Sequence, residues 1–208
     1  MHPGINGPKL KDKPAIIMAG SGDIISHQEL NELSNQGAQL FRSLGLKPGD
    51  SLAFMMENHK LFFPIAFAAY RSGLKYTAIS WRLQASEVEY IVKDCGAKVF
   101  ITSKFLEESA KSLVNSLEGV HKFMLDGITD DFKSYEIEIN NMPVTPIEDE
   151  CQGAAMLYSS GTTGKPKGVS REVNLSPLPY KAEEDDLGLT RVVQGLYSAD
   201  EDSVYLSP

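Results

Sequence analysis

Residues 51–80 read SLAFMMENHKLFFPIAFAAYRSGLKYTAIS, and the order of signals within them sets the fold class. Ser51 to Met56 is a short apolar run of the kind that forms a buried strand. His59 to Arg71 reads as an apolar helix, and Gly73 closes it, since glycine accepts the left-handed conformation that ends helices. Lys75 to Ile79 repeats the strand signal. Strand, helix and strand in such close succession predict a parallel βαβ unit.

The alternation extends outward in both directions. Toward the C-terminus come a helix at Ser86 to Asp94 with Gly96 behind it and a strand at Val99 to Thr102. A helix from about Phe105 to Leu117, a strand at Lys122 to Leu125 and a short apolar strand at Ala154 to Tyr158 follow. Toward the N-terminus, Pro48-Gly49-Asp50 marks a turn. Before it, Ser26 and Glu29 form an S-x-x-E capping box ahead of Leu30, Leu33, Leu40, Phe41 and Leu44 on one helical face, with Gly45 ending the pattern. Ala15 to Met18 and Ile24-Ile25 flank Gly20-Ser21-Gly22-Asp23 and predict a β-hairpin. The fold class is α/β: a layered, mostly parallel sheet with helices on both faces, because each crossover helix packs back on its sheet.

Asp126 to Glu150 is polar, carries Pro143 and Pro146, and reads as a surface connection. Beyond Ser170 the pattern weakens. Pro177, Pro179 and the run Glu183-Glu184-Asp185-Asp186 read as an exposed excursion, and Ser203 to Leu206 as a further strand. No fixed-period repeat is present, which excludes solenoids.

Composition narrows the function. The chain has 208 residues, enough for one substantial domain, with 42% hydrophobic and 23% charged residues. A formal net charge of -8 works against a general nucleic-acid surface, which needs positive charge to displace counterions. Cys95 and Cys151 are the two cysteines and show no metal-ligand spacing, so a reducing, cytoplasmic setting is expected and no metal ligand is assigned. Met1 to Leu10 lacks the basic start and apolar run of a signal peptide, and Leu61 to Tyr70, the most apolar window, is too short to span a bilayer.

The chemistry lies in Tyr158-Ser159-Ser160-Gly161-Thr162-Thr163-Gly164-Lys165-Pro166-Lys167-Gly168, which follows a predicted strand. Glycines let backbone N–H groups approach an anion, hydroxyls donate to phosphate oxygens, and lysines supply positive charge. Such a loop suits a polyphosphate. It is not a Walker A loop: counting from Gly161, Pro166 stands where the second glycine belongs, and Gly168 follows Lys167. No G-x-G-x-x-G fingerprint occurs either.

Tyr158 to Gly168 resembles the signature loop of the adenylate-forming superfamily of acyl-CoA synthetases, aryl-acid ligases, peptide-synthetase adenylation domains and luciferases. Asp12-Lys13-Pro14-Ala15, Leu44 to Asp50, and Trp81-Arg82-Leu83 with Glu87 to Val92 resemble the run-up to that loop in fatty-acyl-CoA synthetases. The resemblance implies residues 1–13 as an N-terminal extension, 14–170 as a partial N-terminal domain of the large domain, truncated, with the loop at 158–168, and 171–208 as a divergent continuation. It further implies ATP-dependent activation of a carboxylic acid, a fatty acid first, to an acyl-adenylate and then a coenzyme A thioester, with Mg2+. Ser159, Ser160, Gly161, Thr162, Thr163, Gly164 and Lys167 are the implied ATP contacts. The family's aromatic-glycine-x-threonine-glutamate motif, ribose aspartate, hinge and catalytic lysine lie downstream of the loop, so no catalytic residue is expected in these residues. A non-catalytic remnant and an aryl-acid or luciferase-like relative stand as alternatives.

Other conspicuous residues carry plainer expectations. Lys165 reads as a solvated lysine, Cys95 as a small core residue, and Trp81 as a buried aromatic anchor. His59 and His121 show no partner at a useful spacing and read as surface or packing residues. Phe62 to Phe67 reads as core.

Overall fold

The computed structural model describes residues 2–159, 166–170, 172–177, 200 and 203–205. The elements run α1 (Pro3–Leu10), β1 (Pro14–Ile17), β2 (Ile24–Ser26), α2 (His27–Ser43), β3 (Ser51–Met55), α3 (Phe62–Arg71), β4 (Lys75–Ile79), α4 (Ala85–Asp94) and β5 (Ala97–Ser103). They continue with α5 (Glu107–Leu113) between two short 3-10 turns, β6 (His121–Leu125), β7 (Lys133–Ser134), α6 (Tyr135–Asn140), β8 (Cys151–Gln152), β9 (Ala154–Ser159), β10 (Lys167–Ser170) and β11 (Asn174–Pro177).

Among the described residues, seven strands form one sheet in the order β10-β9-β4-β3-β5-β6-β7. Every neighbouring pair is parallel except β10 against β9. The α/β expectation is met, and the strand alternation shows why. Leu52 and Phe54 of β3, Val99 and Ile101 of β5, and Phe123 and Leu125 of β6 share one core with α2, α3 and α6. Ala53 and Met55, Phe100 and Met124 join the other core with α4 and α5. Adjacent side chains alternate between faces, so a strand covered on both sides is buried at every position, as all five residues of β3 are.

The capping box at the start of α2 forms as expected. Ser26 Oγ accepts from the Glu29 N–H at 3.2 Å, and Glu29 Oε2 accepts from the Ser26 N–H at 2.8 Å. The β1–β2 pair is the predicted hairpin, with Gly22 at φ 77° in its turn.

Three expectations are corrected. The stretch read as a polar surface connection, Asp126 to Glu150, contains β7 and α6 and buries Phe132, Tyr135, Ile139 and Ile147. Its polar appearance has a cause in α2, where Asn35 donates to the Val144 carbonyl at 2.6 Å and Gln36 to the Met142 carbonyl at 3.2 Å. Of the excursion expected after Ser170, Asn174–Pro177 form β11, which pairs antiparallel with β8, while Pro179 and Glu183 to Asp186 lie outside the described residues. Of the strand expected at Ser203 to Leu206, Ser203 to Tyr205 are not in a strand and Leu206 lies outside the described residues.

Met1 to Leu10 also holds more than its prolines and glycines suggested. Pro3 occupies the first turn of α1, where proline's fixed φ is helical and its missing N–H costs nothing, and His2 Nδ1 caps the Gly4 N–H at 3.1 Å. Gly7 lies so close to Asn31 of α2 that an added Cβ would stand 2.8 Å from the Asn31 Cβ. Nearby, Arg71 Nε meets Glu150 Oε1 at 2.5 Å, with side chains 1% and 5% exposed. Arg71 also donates to Ser34 Oγ at 2.8 Å and to the Asn31 carbonyl at 3.1 Å, so one guanidinium joins α3, α2 and the chain before β8.

Candidate functional site

Open parallel sheets bind ligands at their carboxyl edge, where adjacent strands send their connections to opposite faces. Here that condition is met on both sides of β3. From β3 the chain leaves to α3 on one face, whereas β4 and β5, its two neighbours, lead to α4 and α5 on the other. On the β5 side, Ser103 Oγ donates to Glu57 Oε2 at 2.5 Å across the crevice. On the β4 side lies an open groove of about 430 Å³ lined by Glu57, Asn58, Ser80, Trp81 and Arg82.

Trp81 is therefore not the buried anchor expected. It is 40% exposed just past the carboxyl end of β4. The Arg82 guanidinium lies 5.2 Å from its ring centroid, and Phe105 meets it edge-on at 6.1 Å. His59 gains a partner that its spacing hid: Nε2 faces Asp126 Oδ2 at 3.0 Å, while Nδ1 accepts the Leu61 N–H at 3.1 Å. Nε2 thereby links the segment after β3 to the residue after β6, while Nδ1 braces the turn into α3. His121 is exposed and Cys95 buried, as expected.

One strand beyond the groove, β9 runs parallel to β4 and ends at Ser159 on the same edge. The chain returns as β10, with Lys167 opposite Ser159 and Gly168 opposite Tyr158. Ser159 and Lys167 are thus brought side by side, both exposed, at the base of the hydroxyl- and glycine-rich segment. Ser160, Gly161, Thr162, Thr163, Gly164 and Lys165 lie outside the described residues. Tyr158 Oη donates to Asp94 Oδ2 at 2.5 Å. Desolvation first, then this bond to Asp94, pushes the Tyr158 phenol up from its ordinary range, so it stays a donor.

Sequence reasoning located β9 and singled out Ser159 and Lys167, but it did not read the returning strand at Lys167–Ser170 and missed Glu57, Asn58, Ser80, Arg82 and Asp94. Their signal was positional: each follows or lies close to the carboxyl end of a strand or helix, and only the strand order shows which ends meet. Among the described residues, no three His, Cys, Asp or Glu stand together as an ion-holding cluster, and no helix is long and apolar enough to cross a membrane.

This fold defines an α/β protein built on one mostly parallel sheet with helices on both faces. The chain belongs to the AMP-binding enzyme family, whose model matches residues 6–174. It is 30% identical over 161 residues to the fatty acid–[acyl-carrier-protein] ligase ScoC of Streptomyces coeruleorubidus, covering 75% of this chain and 29% of ScoC. It is 30% identical over 156 residues to a feruloyl-CoA synthase of an Amycolatopsis species, covering 74% of this chain and 30% of that one. Its fold matches the crystal structure of the anthranilate CoA ligase AuaEII in complex with anthranoyl-AMP with a TM-score of 0.72 at 23% identity, over 80% of this chain and 33% of AuaEII. The chain spans about a third of the length of these relatives.

Proposed function

We propose that residues 14–170 supply the nucleotide-gripping part of an ATP-dependent acid–thiol ligase. The observation that carries this reading is the β9–β10 hairpin. It sets Ser159 against Lys167 at the carboxyl edge, at the two roots of a segment rich in hydroxyls and glycines. Ser159, Ser160, Gly161, Thr162, Thr163, Gly164 and Lys167 are the proposed contacts to the β and γ phosphates. Backbone N–H groups, hydroxyls and an ammonium converging on the leaving pyrophosphate stabilise charge as it develops and hold the α-phosphorus for attack by a carboxylate.

The metal fits the same picture. Mg2+ keeps most of its own water and is commonly held by substrate phosphates with one or two carboxylates. The ion would arrive with ATP, and its chemistry would be to neutralise phosphate charge. The activated acyl group would pass to a thiol, with coenzyme A proposed as acceptor. The names of ScoC and the feruloyl-CoA synthase support transfer to a thiol, and that of ScoC supports a fatty acid as the acid.

The test is calorimetric titration of the purified chain with ATP·Mg, alongside a Lys167→Ala, Thr163→Ala double variant and a far-UV check of both folds. Saturable binding that the variant loses while remaining folded is the expected result. A folded chain that binds no ATP would overturn the assignment of the loop.

A further inference from the structure

Tyr158 has a second role that follows from its surroundings, and the inference rests on the reading of the hairpin as a nucleotide loop. Its ring lies across β10 directly over Gly168, its register partner. A Cβ at Gly168 would stand 2.9 Å from Tyr158 Cζ and 3.0 Å from Tyr158 Oη, and would also strike Met156 Cε, so only glycine lets the ring lie there. Met156 and Tyr158 both pack against the α4–α5 core.

The far end of the same ring is anchored to another element. Asp94 is the last residue of α4, where the helix dipole already places partial negative charge, so its carboxylate gains from a donor. Tyr158 Oη supplies that hydrogen at 2.5 Å, and Tyr90 Oη lies 3.5 Å from the other Asp94 oxygen. The hairpin is otherwise thinly held. Leu157 and Val169, paired on the opposite face, are 65% and 64% exposed, and among the described residues β10 is the outermost strand of the sheet.

We infer that Tyr158 is the positioning residue of the loop: its ring clamps Gly168 on the returning leg while its hydroxyl ties the outgoing leg to Asp94 of α4. The brace fixes the spacing and tilt of Ser159 and Lys167 relative to the carboxyl edge. Tyr158 is not itself one of the proposed phosphate contacts. It acts through the two legs, and its loss would leave the rest of the sheet intact.

Two measurements on the full chain test this. Hydrogen exchange of the peptide covering residues 158–168, without nucleotide, reads the brace itself. Tyr158→Phe keeps the ring and removes the anchor, and exchange there should quicken about fivefold, the effect of one lost hydrogen bond of ordinary strength, with the melting temperature nearly unchanged. Asp94→Ala should match it and the double variant should add nothing, whereas Asp94→Asn, which still accepts the hydrogen, should restore slow exchange. Gly168→Ala should quicken exchange as well, by displacing the ring. ATP·Mg titration of the same proteins then reads the consequence, with Tyr158→Phe expected to weaken binding about three- to tenfold. Unchanged exchange in both Tyr158→Phe and Gly168→Ala overturns the brace whatever the nucleotide result. Quickened exchange in a chain whose wild type binds no ATP keeps the brace and overturns the nucleotide reading instead.

Discussion

The middle of the sheet and its β9–β10 end obey different rules. Strand β3 is buried over its whole length between two helical layers, and Arg71 and Glu150 lock α3 to the segment before β8 beneath the surface. The β9–β10 hairpin pairs with the sheet only through β9 among the described residues, β10 is exposed along its length, and the packing of the two strands on the α4–α5 core rests on Met156 and Tyr158. Stability resides in the first region and the proposed ligand chemistry in the second. Binding groups must reach solvent, so the segment that carries them gives up the burial that makes β3 secure.

The contrast breaks most visibly at the buried ion pair. Burial pulls the Arg71 guanidinium down against the opposing pull of Glu150, and burial likewise raises the Glu150 carboxyl against the pull of Arg71. Neither charge suits the interior alone. Glu150→Ala should therefore lower stability by about 3–5 kcal/mol, measured by urea unfolding, since it strands a buried guanidinium. A loss below 1 kcal/mol, to use the ~1 kcal/mol scale of exposed pairs, would mean that water reaches the pair.

A pH series sharpens the same comparison. Burial first, then the Arg71 charge and the N-terminal amine, hold His2 at about 3, from an ordinary 6.5. Below pH 6.5 the unfolded chain takes up a proton that the folded chain refuses. The stability from a neutral His2 is thus complete above that pH and is lost as pH falls toward 3. The slope is up to about 1.4 kcal/mol per pH unit, limited by the cost of releasing α1. His2→Asn should flatten this limb in pH-dependent melts, and an unaltered limb would place the acid sensitivity elsewhere.

Smaller effects follow. Tyr135 Oη is buried with no hydrogen-bond partner among the described residues, so Tyr135→Phe should raise stability by about 1 kcal/mol in the same unfolding assay. At the hairpin, Leu157→Thr with Val169→Thr should shift stability by no more than about 0.5 kcal/mol, because neither side chain is buried. The pair should also reduce self-association seen by light scattering, since an exposed apolar strand edge invites pairing with another chain. A large destabilisation would show that this face is covered.

What the sequence determined by itself was the local order: strand, helix and glycine stop from Ser51 to Ile79, the Ser26–Glu29 cap, and the segment from Tyr158 to Gly168. These signals are carried by neighbours within a few residues, where periodicity, capping and turn chemistry act directly. The tertiary structure alone decided what depends on distant residues meeting. Asp126 to Glu150 looked like a surface loop because its core residues Tyr135 and Ile139 are sparse and its backbone is satisfied by α2 side chains more than a hundred positions earlier. Trp81 looked like core but stands exposed past the end of β4, and His59 had no visible partner until β6 brought Asp126 beside it. Tyr158 could be read as the first residue of a motif, but not as its support, because Asp94 and Gly168 reach it only once α4 and β10 have packed against the sheet.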